Sequence, residues 1–169
     1  MRRLPVVARG LLAALAACAP AQPAELTDAE RVALADTIST ESAAWKSAAE
    51  RADANAVLSY YVPDAVIVRT DHSVVSSDSL KTLLTSEFRS VRAQVITPGV
   101  QRIAVLGRDV AAETAVGDWV ATDTAGRAAT DHFALSRVWV RRDGKWRILH
   151  SYLSVQPTPT PESQATIRK

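Results

Sequence analysis

One cysteine, Cys18, occurs in 169 residues, so an internal disulfide and any multi-cysteine metal site are excluded. The three histidines, His72, His132 and His150, show none of the short spacings, such as HxxxH, that put two imidazoles on one metal. No metal is expected. A glycine-rich phosphate loop, a nucleophile elbow and a Cys-His pair are all missing, and no residue pattern calls for a cofactor. No apolar run approaches the ~20 residues that a membrane-spanning helix needs. A basic surface is lacking as well. The formal charge of +2 includes Arg2, Arg3 and Arg9; without them 17 basic residues face 18 acidic ones, a net of −1. The remaining Lys and Arg are scattered, which argues against a nucleic-acid partner.

What is present is an ordinary globular composition, 47% hydrophobic and 22% charged, long enough for one domain with a real core. Residues 1–18 read as a signal peptide: Arg2, Arg3 and Arg9 form a positive n-region and residues 11–17 a short apolar stretch. Leu15-Ala16-Ala17-Cys18 resembles the bacterial lipobox, in which the cysteine thiol is lipidated and becomes the new N-terminus. The resemblance implies lipidation of Cys18 and a membrane-anchored lipoprotein, because several acyl chains on one residue hold a protein stably where one is marginal. Ala19 is not the Asp that retains such proteins at the inner membrane. The expected address is therefore the periplasmic side of the cell envelope, at the outer membrane. Residues 19–26 read as a tether, 27–155 as the folded domain and 156–169, rich in Pro and Thr, as a disordered tail.

Within the domain, Thr27-Asp28-Ala29-Glu30 is a capping box that opens a helix running to about Glu50. Asp53 caps a short helix through Tyr61 that Pro63 stops. A strand follows at 65–69 and a second at Val74-Val75; Ser77 or Asp78 caps a third helix carrying Leu80, Leu83, Leu84 and Phe88. Strands are then expected at 92–97, 101–106 and 110–122, with Pro98-Gly99, Gly107-Arg108-Asp109 and Thr124-Ala125-Gly126 as turns. The chain closes on a hairpin over residues 131–155. Asp143-Gly144 between two β-prone runs is a type I′ turn signal, since both residues tolerate positive φ. Counting outward pairs Val140 with Arg147, Trp139 with Ile148, Arg137 with His150 and Leu135 with Tyr152. Helices first and an antiparallel meander afterwards make the class α+β.

This order, with Tyr61-x-x-Asp64-Ala65 entering a strand and the closing Asp143-Gly144-Lys145-Trp146-Arg147-Ile148 and His150, resembles the nuclear transport factor 2-like superfamily. It resembles most the SnoaL-like branch, related to ketosteroid isomerases and polyketide cyclases. The resemblance implies a curved antiparallel β-sheet wrapped around N-terminal helices to form a cone-shaped pocket, and commonly a homodimer through the outer sheet face. The isomerases' helix Tyr, base Asp and second Asp fall on Trp45, Arg69 and Ser136. None of these performs the same chemistry, so ketosteroid isomerase activity by that constellation is not expected. The family's counting puts Ser136, Val138, Leu149, Ser151 and Leu153 on the concave face, with Trp45, Tyr61, Arg69 and Trp119 completing the pocket. The same register puts Phe133, Leu135, Arg137, Trp139, Trp146, Ile148, His150 and Tyr152 outside. Left in water they would form a broad apolar patch, so Arg137, Trp139, Ile148 and His150 are expected at a dimer interface.

Candidates for acid/base work near neutral pH are Asp71, Asp118, His132 and His150, with His72 and Asp131 beside them. The leading function is a lipid-anchored periplasmic module binding a small, wholly or partly apolar molecule. An acid/base enzyme (isomerase, dehydratase or cyclase) using pocket Asp or His residues is one alternative. A structural dimeric envelope protein is the other.

Overall fold

The computed structural model describes residues 25–157. The expected signal peptide, Cys18 and most of the expected tether lie outside them, as do residues 158–169 of the expected tail. Helix α1 (Asp28–Glu50) opens with the expected capping box: Glu30 N donates to Thr27 Oγ1 at 3.2 Å, and Thr27 N donates to the Glu30 carboxylate at 2.8 Å. The Thr27 hydroxyl and Arg108 also donate to Glu30, and the three hydrogen bonds, the Thr27 amide foremost, lower its carboxyl pKa to about 2. Helix α2 (Ala54–Leu58) is capped by Asp53, whose carboxylate accepts from Ala56 N at 2.9 Å. It ends before Tyr60, so Tyr61 and Pro63 belong to strand β1 (Tyr61–Val68) instead of the helix. Pro63 lacks a ladder donor, and the pairing of β1 is interrupted there, between Tyr61 and Val66. Strand β2 (Val74–Val75) precedes helix α3 (Ser77–Ser90), capped by Ser76, one residue ahead of the expected cap. Among the described residues no helix is long and apolar enough to cross a membrane.

The expected strands at 92–97 and 101–106 are one strand, β3 (Val91–Gly107). Pro98-Gly99 is a bulge, not a turn: Pro98 pairs with Gly117 and Val100 with Val116, so an extra residue is absorbed without breaking the ladder. Strands β4 (Val110–Asp123), β5 (Ala128–Arg142) and β6 (Lys145–Pro157) complete a six-stranded, unclosed, curved sheet in the order β2-β1-β6-β5-β4-β3. Every neighbouring pair is antiparallel except β1 and β6, which run parallel. The fold is α+β, with the three helices over the concave face.

Asp143 and Gly144 take φ of 52° and 73°, the positive values a type I′ turn requires. The expected register holds from the turn through Trp139–Ile148 and then slips. Leu149 is an extra residue on β6, so Val138 pairs with His150, Arg137 with Ser151 and Leu135 with Leu153. Because side chains alternate, one added residue reverses which face each later position of β6 meets. Phe133, Leu135, Arg137 and Trp139 of β5 all face the helices and are buried, as are Trp146, Ile148 and Ser151 of β6. The assignment of faces on β5 is therefore the reverse of the expected one. Trp139 and Ile148 are wholly inaccessible within one chain and Arg137 nearly so. The expected dimer surface built on them is part of the monomer core instead.

Gly117 shows how closely β3 and β4 approach at the bulge. A Cβ there would collide with the Thr97 carbonyl oxygen and lie 3.0 Å from the Phe133 ring. Gly117→Ala is expected to destabilise the domain by about 1–3 kcal/mol through this overpacking, read as a lowered urea midpoint with an unchanged m-value.

Candidate functional site

Alternation along β4 turns Ala111, Glu113, Ala115 and Trp119 inward, and the β4–β5 register sets Glu113 directly opposite Arg137. Helix α1 packs against β3, and its Ser42 and Trp45 reach the pair. Glu113 Oε1 accepts from Ser42 Oγ at 2.5 Å and from Gln101 Nε2 at 2.8 Å; Oε2 accepts from Trp139 Nε1 at 2.8 Å. Arg137 Nη1 stands 3.7 Å from Oε2, an ion pair without a hydrogen bond. The guanidinium stacks on Trp45 instead, 3.6 Å from the ring centroid. Burial pushes the Arg137 pKa down, opposed by Tyr61 and Glu113. Arginine starts so high that it remains a cation. None of its three side-chain nitrogens has a protein acceptor, and neither does Trp45 Nε1.

Two cavities adjoin this pair and share Trp45, Trp119, Leu135, Arg137 and Leu153 as walls. The smaller, about 120 Å³, opens onto Ser42, Gln101 and Glu113. The larger, about 340 Å³, is the interior of the cone, lined on its apolar side by Val57, Ile67, Leu80, Leu84 and Phe88. Gln94 braces its wall: Nε2 donates to the Ala49 carbonyl, and Oε1 accepts from Trp119 Nε1 at 3.1 Å. Arg69, just past β1, pairs with Glu87 of α3, both lining the same cavity.

Of the expected pocket residues, Tyr61, Arg69 and Ser151 line the larger cavity, and Trp45, Trp119 and Leu153 line both. Ser136 does not: it is exposed on the outer face, since the odd-numbered residues of β5 point inward. Val138 and Leu149 are half-buried and line neither cavity. The acid/base candidates also lie elsewhere. Asp71 is tied to Ser73 N and Oγ in the β1–β2 turn, and His72 follows it there with φ of 63°. Asp118 Oδ1 and His132 Nδ1 are 2.6 Å apart, but their side chains are 52% and 58% exposed. They sit across from each other on the outer face. His150 is on the outer face too, paired with Val138 and Val66. Asp131 does line the larger cavity.

Sequence reasoning missed Glu113, Gln94 and Gln101, and placed Arg137 on the wrong face. One signal for the pair exists. Counting outward from Thr124-Ala125-Gly126 with Thr122 opposite Ala128 brings Glu113 opposite Arg137. Among the described residues no group of three His, Cys, Asp or Glu side chains is placed to hold a metal.

The SnoaL-like domain family matches residues 38–159, and the chain belongs to that family. The fold is shared with solved structures of low identity. A ketosteroid isomerase-like protein from Erwinia carotovora atroseptica SCRI1043 is 20% identical, with a TM-score of 0.63 over 72% of this chain and 95% of that one. Hexachlorocyclohexane dehydrochlorinase LinA-type3 from Novosphingobium barchaimii LL02 is 12% identical, with a TM-score of 0.68 over 80% and 95%. An NTF2-like protein of unknown function in nutrient uptake from Rhodospirillum rubrum ATCC 11170 is 15% identical, with a TM-score of 0.60 over 70% and 97%. No curated protein matches the chain in sequence.

The ion pair yields a prediction. Glu113→Leu removes the one ion-pair partner that the described residues give this buried guanidinium and is expected to cost about 3–5 kcal/mol. Adding Arg137→Met removes the stranded cation and is expected to recover most of that loss. A double-mutant cycle by urea denaturation measures the coupling.

Proposed function

We propose that this protein is a lipid-anchored periplasmic module that binds one small, partly apolar molecule in its cone. The cavity of about 340 Å³ carries the reading. Its size, aromatic and aliphatic walls and few convergent polar groups are those of a ligand site. A purely structural envelope protein would fill its cone with side chains, so the cavity counts against that alternative. The enzyme alternative draws support from solved relatives named for an isomerase-like protein and a dehydrochlorinase. Against it, Asp71, Asp118, His132 and His150 all lie outside the cavity, leaving Asp131 as the one acid/base candidate on its wall, with no histidine on that wall beside it. Binding without catalysis is the better fit.

The lipobox at residues 15–18 supports the anchor. Wild-type protein is expected in the membrane fraction, and Cys18→Ser is expected to move it to the soluble fraction without changing its melting temperature. For the ligand, native mass spectrometry of the purified chain is expected to show a copurified small molecule. Leu153→Trp, which puts a larger ring between the two cavities, is expected to lose that adduct while keeping the wild-type far-UV circular dichroism. An adduct that persists in Leu153→Trp would place the ligand outside the cone.

A further inference from the structure

Unmatched polar atoms inside the cone are all of one kind. Among the described residues, the buried side-chain nitrogens and oxygens without a protein partner are Trp45 Nε1 and the three nitrogens of Arg137. Every one is a hydrogen-bond donor, and no buried side-chain acceptor is left over. Arg137 is 1% exposed and borders the larger cavity, as does Trp45. Buried donors are matched in folded proteins almost without exception, so the complement of this wall is an acceptor.

We infer that the cavity takes a monocarboxylic acid with an apolar body, its carboxylate held by the edge of the Arg137 guanidinium. This deepens the small-molecule reading above and rests on it. Trp45 covers one face of the guanidinium, and the N–H groups point outward in its plane; the three nitrogens are closed off from solvent, so a carboxylate reaches them only as the cavity wall around them shifts. The guanidinium edge is a planar fork matching two carboxylate oxygens at once, whereas a single carbonyl oxygen leaves most of the fork unmet. Glu113 does not pre-empt the position. Its oxygens already take three hydrogen bonds from Ser42, Gln101 and Trp139, and it opens onto the smaller cavity. A second negative charge has no cation to meet: Arg69 is engaged by Glu87 and Lys46 by Glu50, while Asp131 on the same wall repels it. Dicarboxylates and phosphate esters are thereby disfavoured. Val57, Ile67, Leu80, Leu84 and Phe88 supply the surface for the apolar body.

The test is isothermal titration calorimetry at pH 7 with octanoate, octanamide and octan-1-ol. The full chain carries Cys18→Ser so that no detergent is needed. Octanoate is expected to bind at least tenfold more tightly than either neutral analogue. In Arg137→Met the three are expected to converge, with octan-1-ol affinity within twofold of the parent chain as the sign that the cavity survives. Arg137→Lys keeps the charge without the fork, and is expected to cut the preference for octanoate at least threefold even where Arg137→Met does not fold. Octanamide binding as tightly as octanoate overturns the carboxylate while leaving the small-molecule reading intact, and so does an acid preference that persists in both variants. Failure of all three compounds to bind overturns both.

Discussion

A buried ion pair that is not hydrogen-bonded, Glu113 with Arg137 at 3.7 Å, governs the interior of this protein. Taking two charges out of water costs several kcal/mol per ion even after relaxation, and attraction alone repays that only when the remaining donors and acceptors are met. Glu113 is met in full. Its three donors come from α1, β3 and β5, so one carboxylate on β4 ties four elements together. Arg137 is met only by the face of Trp45 and by charge. The asymmetry makes Glu113 a structural hub and leaves Arg137 as the chemically open member.

Backbone irregularity gives the pair its room. A regular sheet of strands as long as β3 and β4 has nowhere to bend. Here the register shifts around Pro63 on β1, Pro98-Gly99 on β3 and Leu149 on β6. Bulges bend the strand that carries them and increase its twist, and a sheet bent in this way wraps three helices instead of lying flat beneath them. Helix α1 lies closest to β3, and from there Ser42 reaches the Glu113 carboxylate on the neighbouring strand. Beyond Trp45, toward α3, the larger cavity remains open.

Much of this was legible where a residue's local chemistry decides the backbone. Thr27 with Glu30, Asp53 before α2, and Asp143-Gly144 at the last turn each act within a few residues, and each lies where its pattern says. The cone followed from the order of elements and the resemblance that order carries. Two features were not legible. Pro98-Gly99 reads as a turn, because both residues punctuate chains, yet the neighbouring strand pairs on both sides of it and Gly117 opposite lacks the Cβ that would forbid the approach. Leu149 gives no local signal at all: a leucine in a strand looks the same paired or bulged. That single residue moved Ser151 and Leu153 inward together with Ile148, which no two-residue alternation permits. Arg137 was misjudged for a different reason. The family's counting puts Ser136 and Val138 on the concave face and so Arg137 outside, without counting its partner Glu113 across from it.

The polarity of the cone separates this chain from the isomerase pattern on the same scaffold. That pattern needs a carboxylate to take a proton and an acid to steady the oxygen left behind. Here the corresponding inward positions hold Trp45 and Arg69, while Ser136 is turned away and Arg137 occupies the inner face beside it. Of the two carboxylates that line the larger cavity, Glu87 is bound to Arg69, which leaves Asp131 as the one without a side-chain partner of that kind. The fold is held in common with a solved isomerase-like protein, and in this interior a cation stacks on an indole. Function follows such side-chain choices more closely than it follows the scaffold.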